Sequence, residues 1–367
     1  MTAVLIKILY VIISIVFFGI IITSHEFGHF IFAKLFKVKV NEFAIGMGPK
    51  LFGFKKKETQ YSLRLFPIGG YCAMEGEDED SDDEGSFNKK KVWQRMIIVA
   101  AGAIFNLIAG FLIIVLMLSL KNTMAKDSSG YLIGTNRVHS LGATYADDKD
   151  FQLKAGDLIV KVNDKHVYSY YDFQYLLMID DDGCFDFTVK RGENNEKTEL
   201  KNVQFKMDEN GTLVDDFLRV GVVPNFPNVM KYSFLQGVSL GRMVWLSLTD
   251  LLTGHFGLKD LSGPVGTVGV ITDSIDYVQE AYEKTTVLDF SPVLLIMALI
   301  SINIGIFNLL PVPALDGGRL FFMLVEVIFR KPVPQKYERW VHTIGLILLL
   351  LFMAVISFND IMKLIRG

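Results

Sequence analysis

The chain has 367 residues, a formal net charge of −3 and a hydrophobic fraction of 51%, and its mean hydropathy is +0.35. This composition is too apolar for an ordinary soluble protein of two or three domains, and no basic, aromatic-rich patch points to nucleic-acid binding. The two cysteines, Cys72 and Cys184, provide neither a disulfide framework nor a CxxC metal site.

Four segments are long and apolar enough to cross a hydrocarbon core of about 30 Å, and lipid requires each of them to be helical. They run from about residue 3 to beyond residue 29, from 96 to 118, from 292 to 315 and from 341 to 358. Lys and Arg are concentrated between the first two segments and between the last two. By the positive-inside rule both of these loops are cytoplasmic, and the long segment from about 120 to 290 is external.

The end of the first span carries the most informative motif, His25-Glu26-Phe27-Gly28-His29. Positions i and i+4 lie on one face of a helix, so both imidazoles can bind a single metal ion. Glu26 lies between them and can take a proton from water at the metal, which is the chemistry of zinc metalloproteases. Ionisable groups at membrane depth are unfavourable and usually mark function, so chance or two structural histidines explain the motif less well.

A catalytic zinc ion usually has three protein ligands, and Asp316 is the best candidate for the third. It lies at the cytoplasmic end of the third span, at a depth similar to that of the two histidines. It is the only ionisable residue between positions 292 and 319. Glu42 and Glu58 are alternative carboxylates in the cytoplasmic loop, and Asp316 before Gly317-Gly318 by itself also fits a helix-ending turn.

The external segment from 125 to about 206 has the pattern of a soluble domain. Strands are predicted over 158–162 and 185–189, a hairpin turn over 190–195 and a short helix over 171–178. With Ala155-Gly156-Asp157 the pattern resembles a PDZ domain, although residues 136–150 depart from it. A peptide-binding domain and a folded cap without a ligand both remain open. Residues 234–252 are predicted as an amphipathic helix on the outer membrane surface, with a fifth span as the alternative.

The chain as a whole resembles the bacterial site-2 proteases, which are zinc metalloproteases of regulated intramembrane proteolysis, and in particular the regulator-of-sigma-E protease type with a single PDZ domain. The matching motifs cover about half the chain. They are His25-Glu26-Phe27-Gly28-His29, Phe43-Ala44-Ile45-Gly46-Met47-Gly48-Pro49, Pro67-Ile68-Gly69-Gly70-Tyr71, the stretch from Gln94-Arg95 through Ala100-Ala101-Gly102 to Asn106, Leu261-Ser262-Gly263-Pro264-Val265-Gly266, and the block from Asn308 to Gly318.

The resemblance implies a catalytic base, three zinc ligands and two groups of substrate-binding residues. One of those groups would belong to a re-entrant β-loop that pairs with an extended substrate. Glycines permit close backbone approach and a free strand edge is a template for a peptide, although turn formation also explains these glycines. The implied residues are Glu26 as the base, His25, His29 and Asp316 as the ligands of Zn²⁺, and Gly46, Met47, Gly48, Asn308, Pro311 and Pro313 as the substrate-binding residues.

The predicted fold is a polytopic α-helical membrane protein with about four transmembrane helices, a membrane re-entrant β-loop and an inserted extracytoplasmic PDZ-like α/β domain. The predicted divisions are an N-terminal transmembrane core (1–120), the PDZ-like domain (121–230), a surface helix with a linker (231–290) and a C-terminal transmembrane core (291–367). A multi-pass protein of the bacterial inner membrane is expected, with its active site toward the cytoplasm.

The predicted function is a zinc-dependent intramembrane endopeptidase. Its substrates would be single-pass transmembrane proteins or peptides that another protease has trimmed, such as anti-sigma factors or remnant signal peptides. A monomer in the lipid bilayer, without nucleic acid, is the expected state. A non-enzymatic membrane adaptor with a structural metal and a peptide-binding PDZ domain is the alternative. A metal transporter fits less well, because the second and fourth spans have almost no ionisable residues in their cores.

Overall fold

The computed structural model describes residues 2–77, 81–124, 133–179, 183–192, 194–208, 213–254, 263–285 and 289–366. The chain divides into two compact units, a first unit of residues 1–113 and 250–367 and a second unit of residues 114–249. Residues 261–262, which open the Leu261–Gly266 motif, lie outside the described residues.

The secondary structure combines long helices with two separate sheets. In chain order the elements are α1 (Thr2–Leu35), β1 (Val40–Lys56), β2 (Thr59–Met74), α2 (Val92–Met124), β3 (Ile133–Leu141), α3 (Ala143–Ala146), β4 (Leu158–Val162), β5 (Lys165–His166), α4 (Tyr170–Met178), β6 (Cys184–Arg191), β7 (Glu196–Gln204), β8 (Phe217–Val222), α5 (Phe226–Thr253), α6 (Pro264–Thr285), α7 (Ser291–Leu309), α8 (Asp316–Phe329) and α9 (Gln335–Arg366), with a short 3-10 helix at Phe87–Lys89.

Four of the described helices are long and apolar enough to cross a membrane, over Ile12–Leu35, Val92–Leu120, Ser291–Leu309 and Gln335–Lys363. They coincide with the four predicted segments, so the expectation of a polytopic helical membrane protein is confirmed. The third prediction extended six residues too far. The helix ends at Leu309, because Pro311 and Pro313 cannot continue it, and Asp316 begins the next helix rather than ending this one.

Two helices of the first unit had no counterpart in the prediction. Helix α6 lies where a linker was expected, and Ile271 on it packs with Phe17 and Ile21 of α1 in a buried apolar cluster. Helix α8 follows the proline-rich loop directly. Both helices bear on the position of the site, because α6 packs against α1 near Phe17 and Ile21 and α8 begins with Asp316.

Close contacts between small residues bring α1, α2 and α7 together. A Cβ atom on Gly28 of α1 would lie 2.5 Å from the main-chain oxygen of Ala101 on α2. A Cβ atom on Gly305 of α7 would lie 3.0 Å from the main-chain oxygen of Ala103. Small residues allow helix backbones to approach in this way in membranes, where packing replaces the hydrophobic effect between helices. The motif helix α1 is therefore fixed against the middle of α2.

Helix α6 is held to α9 by one buried carboxylate. Asp360, whose residue surface is 3% exposed, accepts hydrogen bonds at Oδ2 from the N–H groups of Gly263 and Gly266, both at 2.9 Å. These N–H groups belong to the start of α6, where a helix has no internal partners for them. An acidic group at this end also interacts favourably with the helix dipole.

We expect Asp360→Leu to lower the free energy of unfolding by about 2–4 kcal/mol, because it leaves one buried and one part-buried N–H group unpaired. Asp360→Asn keeps an oxygen at the same place and loses only the charge, so a loss of about 1 kcal/mol or less is expected. Thermal unfolding of the purified protein in detergent compares the two variants. Equal losses would contradict the role assigned to the Oδ2 atom.

The sheet formed by β1 and β2 is more folded than a simple hairpin. Residues 42–45 of β1 pair with residues 70–73 of β2 on one side and with residues 60–63 on the other. The stretch from 70 to 74 therefore forms an edge of this sheet. Gly46 and Gly48 have φ values of 84° and 85° and lie where the register shifts, which is typical of a β-bulge.

The second unit contains a six-stranded sheet in the order β7-β6-β4-β3-β8, with β5 paired to β4. Its strands β4 and β6 and its helix α4 lie where the sequence predicts them. Its core centres on fully buried aromatic side chains, including Tyr145, Phe173, Phe185 and Phe187. Helix α4 begins with a capping box formed by Ser169 and Asp172.

Helix α5 packs on this second unit through polar residues. Ser239 hydrogen-bonds Ser169 at 2.7 Å between the two Oγ atoms, and Arg242 lies 3.5 Å from the buried carboxylate of Asp172. The sequence predicts an amphipathic surface helix here, with Ser239 and Arg242 outside its apolar face. Helix α5 is not among the four described helices with the length and apolarity of a membrane span.

Candidate metal centre

Three side chains from distant parts of the chain meet in the first unit. Nε2 of His25 lies 2.9 Å from Oδ2 of Asp316 and 3.1 Å from Nε2 of His29. The distance from Nε2 of His29 to the same Oδ2 atom is 3.2 Å. Helix α1 brings the two histidines to one face, and the first residue of α8 supplies the carboxylate. Among the described residues these three form a group that could hold a metal ion.

The hydrogen bond of His29 to the main chain determines which of its ring nitrogens faces Asp316. Its Nδ1 atom lies 2.9 Å from the main-chain oxygen of Ile98, and a carbonyl can only accept, so Nδ1 carries the proton. In a neutral imidazole Nε2 then has a lone pair, and this lone pair faces the acceptor oxygen of Asp316. Two acceptors 3.2 Å apart require a proton or a metal ion between them.

The donor set fits zinc in chemistry and in spacing. Two imidazole nitrogens and one carboxylate oxygen are a common ligand set of catalytic zinc, and donor atoms of a tetrahedral site lie about 3.3 Å apart. The three observed separations are 2.9, 3.1 and 3.2 Å. Gly102 of α2 leaves room beside them, because a Cβ atom there would lie 2.4 Å from Nε2 of His29 and 2.7 Å from Nε2 of His25.

Glu26 is oriented by the edge of the first sheet. Its Oε2 atom accepts a hydrogen bond from the N–H of Cys72 at 3.0 Å. Cys72 pairs with Phe43 of β1, but its N–H is directed away from β1 and toward α1. A Cβ atom on Gly70 would lie 3.7 Å from Cγ of Glu26. The carboxylate therefore lies beside both the histidines and an edge of the sheet.

The loop that precedes Asp316 is held in a strained conformation. Ala314 has a φ of 77°, in the left-handed region that non-glycine residues rarely adopt. Its N–H donates to Nδ1 of His342 on α9 at 3.1 Å.

Burial raises the pKa of the Asp316 carboxyl, but the neighbouring His25 and His29 lower it by more. The pKa therefore lies below its usual range, and the group is ionised at neutral pH.

A family model described as Peptidase family M50 matches residues 13–352 of the chain. The chain belongs to peptidase family M50. This is the site-2 protease family that the sequence resembles, so the prediction of a membrane peptidase is confirmed.

The alignments with similar proteins cover nearly the whole of each chain. A Clostridium acetobutylicum protein whose name describes a zinc metalloprotease is 35% identical over 357 residues, which cover 96% of this chain and 97% of that protein. A Clostridium perfringens protein with the same description is 34% identical over 362 residues, 96% of this chain and 98% of that one. The regulator of sigma-W protease RasP of Bacillus subtilis is 29% identical over 439 residues, 96% of this chain and 98% of RasP.

The strain at Ala314 in this M50 peptidase has a measurable consequence. Ala314→Gly relieves the left-handed backbone, so the free energy of unfolding should stay the same or rise by up to about 1 kcal/mol. Ala314→Val should lower it by about 2 kcal/mol, because a β-branched residue is least tolerated at positive φ. Thermal unfolding in detergent gives the order Gly, Ala, Val. A valine variant as stable as the natural protein would contradict the φ assigned here.

The implied substrate-binding residues of the M50 peptidase lie in two places. Gly46, Met47 and Gly48 form the bulged corner of the first sheet, where Met47 pairs with Phe66 of β2. Asn308 lies half-buried in the last turn of α7. Pro313 contacts α9, since a Cβ atom on Gly345 would lie 2.3 Å from its Cβ atom. Pro311, which precedes Pro313 in the same loop, lines a cavity.

That apolar cavity has a volume of about 550 Å³. Gly317, next to Asp316, and Ala101, next to Gly102, both line it. The cavity therefore begins one residue away from the candidate metal centre on both α8 and α2. Its other lining residues are almost all apolar, among them Phe32, Met96, Ile104 and Phe321.

Several residues of the site have roles that the sequence did not predict. Ile98 and Gly102 adjoin the two histidines, Cys72 orients Glu26, and His342 holds the loop before Asp316. Gly102 belongs to the Ala100-Ala101-Gly102 run, and such small residues in an apolar helix are a usable signal of close approach. The contacts of Ile98 and Cys72 use main-chain atoms, so their side chains carry no signal of them.

Proposed function

We propose that this M50 peptidase is an intramembrane endopeptidase that cleaves transmembrane segments of membrane proteins already shortened by another protease. A membrane zinc metalloprotease follows from the family and from the relatives. The proposal adds the roles of individual residues and the substrates. One observation carries it, namely the convergence of Nε2 of His25, Nε2 of His29 and Oδ2 of Asp316 beside a carboxylate within apolar helices.

We assign His25, His29 and Asp316 as the zinc ligands. A bound zinc ion supplies Lewis acidity, which acidifies water and polarises the scissile carbonyl. The hydrogen bond from His29 to the main chain of Ile98 fixes the orientation of that ring. The described residues offer three ligands, which leaves a position for water and substrate, as catalytic sites require.

Glu26 is the proposed general base. It follows His25 directly on α1, and the N–H of Cys72 fixes one of its oxygens. Its other oxygen would accept the proton of the attacking water and return it to the leaving amine. Water adds across the peptide bond in this way, and the carboxylate is regenerated.

The substrate must be extended at the scissile bond, because a helix shields its own carbonyl groups. We propose that the β1–β2 sheet holds it by strand addition. Gly46, Met47 and Gly48 are one contact, and the edge from 70 to 74 is a second that lies closer to Glu26. The sheet also exposes large apolar side chains, as a re-entrant loop in lipid would: Ile45, Met47, Leu51, Phe52, Phe54, Leu63, Leu65 and Phe66.

Asn308, Pro311 and Pro313 are proposed to position the substrate from the other side. Pro311 lines the apolar cavity next to the metal centre. Its lining is suited to the large apolar side chains that make up a transmembrane segment. A substrate held between this cavity and the sheet would pass the metal ligands with its backbone.

The second unit is proposed to be an extracytoplasmic PDZ-like filter. PDZ domains add a peptide strand to an exposed sheet edge and hold its side chains in pockets. Here β8 is the edge strand, and its Arg219 lies 3.6 Å from the ring centroid of Tyr170 on α4. Arg219 also pairs with Asp215 at 2.9 Å. These side chains bridge the edge strand and the helix, which favours a folded cap over a peptide-binding groove.

By this proposal the protein lies in the bacterial inner membrane with the metal centre toward the cytoplasm. Substrates would be anti-sigma factors or remnant signal peptides, and the name of the Bacillus subtilis relative, regulator of sigma-W protease, supports the first class. A cap outside the membrane would exclude substrates whose external part is still intact. A monomer is sufficient for this function.

Purified full-length protein in lipid vesicles tests the proposal on a single-pass substrate with and without its folded external part. We expect cleavage of the trimmed form only. Removing the metal with 1,10-phenanthroline should abolish cleavage, and added Zn²⁺ should restore it, because the ligands remain in place. A protein that binds zinc but cleaves neither form would instead support the membrane adaptor.

A further inference from the structure

Asn106 is a buried polar side chain in the middle of α2. Its residue surface is 0% exposed, although Ile104 and Ile108 on either side of it expose 46% and 47% of theirs. A buried amide in an apolar helix is unfavourable unless its hydrogen-bonding groups are used. Ser301 on α7 hydrogen-bonds its main-chain oxygen at 2.8 Å, which leaves the side-chain amide to be explained.

The amide of Asn106 contacts the first histidine of the metal centre. Its Nδ2 atom lies 3.4 Å from Nδ1 of His25, and among the described atoms its Oδ1 has no hydrogen-bond partner. The side-chain amide of Asn106 therefore contributes little to the hydrogen bonding between the described helices. Its notable feature is its position next to the imidazole of His25.

The chemistry of a metal ligand determines what His25 needs at Nδ1. Nε2 faces Asp316 and His29, so a lone pair is required there and the proton must be on Nδ1. A protonated Nδ1 donates, and its partner has to be an acceptor. The two ends of an amide have nearly the same shape, and a half-turn about χ2 places Oδ1 where Nδ2 lies.

We propose that Asn106 is a positioning residue whose Oδ1 accepts a hydrogen bond from Nδ1–H of His25 and thereby holds this imidazole as a zinc ligand. The inference rests on the proposed function, since it takes His25 as a ligand. The proposed hydrogen bond parallels the one that Nδ1–H of His29 donates to the main-chain oxygen of Ile98. Ile98, Gly102 and Asn106 are spaced by four residues and share one face of α2. That face holds both imidazoles and leaves room for the ion between them.

The test compares variants of Asn106 that keep or remove the acceptor. Asn106→Leu has nearly the same shape but no acceptor, and Asn106→Asp has acceptors only. Zinc affinity of the full-length protein in detergent is measured by competition with a fluorescent chelator. We expect zinc binding to weaken by about 10–100-fold in Asn106→Leu. We expect Asn106→Asp to bind zinc within about threefold of the natural protein or more tightly, because a carboxylate is a stronger acceptor for imidazole N–H.

Ser301→Ala is the matched control. It removes the hydrogen bond to the main chain of Asn106 and leaves the amide in place, so it should lower the midpoint of thermal unfolding but leave zinc affinity unchanged. A purely structural role for Asn106 would make Ser301→Ala and Asn106→Leu lose zinc together, which would overturn the proposal.

Two other outcomes would also overturn it. One is unchanged zinc affinity in a folded Asn106→Leu protein, and the other is a loss of more than about tenfold in Asn106→Asp, which on its own decides the matter if the leucine variant cannot be purified. Absence of zinc binding by the natural protein would instead contradict the proposed function, so the two failures are distinguishable.

Discussion

Glu26→Gln is expected to lower kcat for cleavage of a trimmed transmembrane substrate by about 10²–10⁴-fold while zinc remains bound. Glutamine keeps an oxygen that can accept from the N–H of Cys72, so the fold around residue 26 should not change. It cannot take a proton from water. The measurement is single-turnover cleavage in vesicles, with zinc content determined on the same samples.

Glu58→Gln is a suitable control for this experiment. Glu58 lies in the turn between β1 and β2 and forms an ion pair with Lys34 at 2.7 Å, with its side chain 50% exposed. Surface pairs of this kind contribute little, so activity should remain within about twofold. A Glu26→Gln protein that cleaves at the natural rate would remove this residue from the mechanism. A variant that loses its zinc would show that Glu26 acts on the ion rather than on water.

The second large effect is expected from Gly102→Ala. The added Cβ would lie 2.4 Å from Nε2 of His29 and 2.7 Å from Nε2 of His25, well inside van der Waals contact. Ligand distances in metal sites lie within about 0.2 Å of their standard values, so displacement of the two proposed ligand atoms should weaken zinc binding by roughly 100-fold or more. Chelator competition and cleavage should fall together.

Gly110→Ala on the same helix separates this effect from general damage to packing. Its Cβ would lie 2.6 Å from Cγ1 of Ile302, so it also crowds α2, but two turns away from the metal centre. We expect a lower midpoint of thermal unfolding with unchanged zinc affinity. If both variants lost zinc equally, the loss would come from the helix contact rather than from Gly102.

The membrane helices were predictable because lipid imposes a length and a composition on any segment that crosses it. The end of α7 at Leu309 was predicted six residues too late, although Pro311 and Pro313 cannot continue the helix. Helix α6 was missed because its acidic residues, among them Asp273 and Glu280, deny it the apolarity of a membrane span. Its packing on α1 is a tertiary effect that local patterns do not contain.

The residues His25, His29 and Asp316 could be singled out from the motif and from a depth argument, and the structure places their donor atoms together. The start of α8 at Asp316 could not be foreseen. Gly317-Gly318 reads as a turn, yet these glycines are helical. A larger residue would not fit at position 317, because a Cβ atom there would lie 1.9 Å from the main-chain oxygen of Leu310. Gly70 and Cys72 act beside Glu26 through their small size and their main chain, which residue-by-residue chemistry does not predict.

The separation of His25 and Asp316 by 291 residues also affects how the protein is made. Ribosomes add roughly 5–20 residues per second, so on the order of 15–60 s pass between synthesis of the first histidine and of the aspartate. During that interval the nascent chain has the proposed base and two of the proposed zinc ligands but lacks the third. By the proposed assignment the peptidase would stay inactive until Asp316 has been made, and neighbouring newly inserted helices would be safe from premature cleavage.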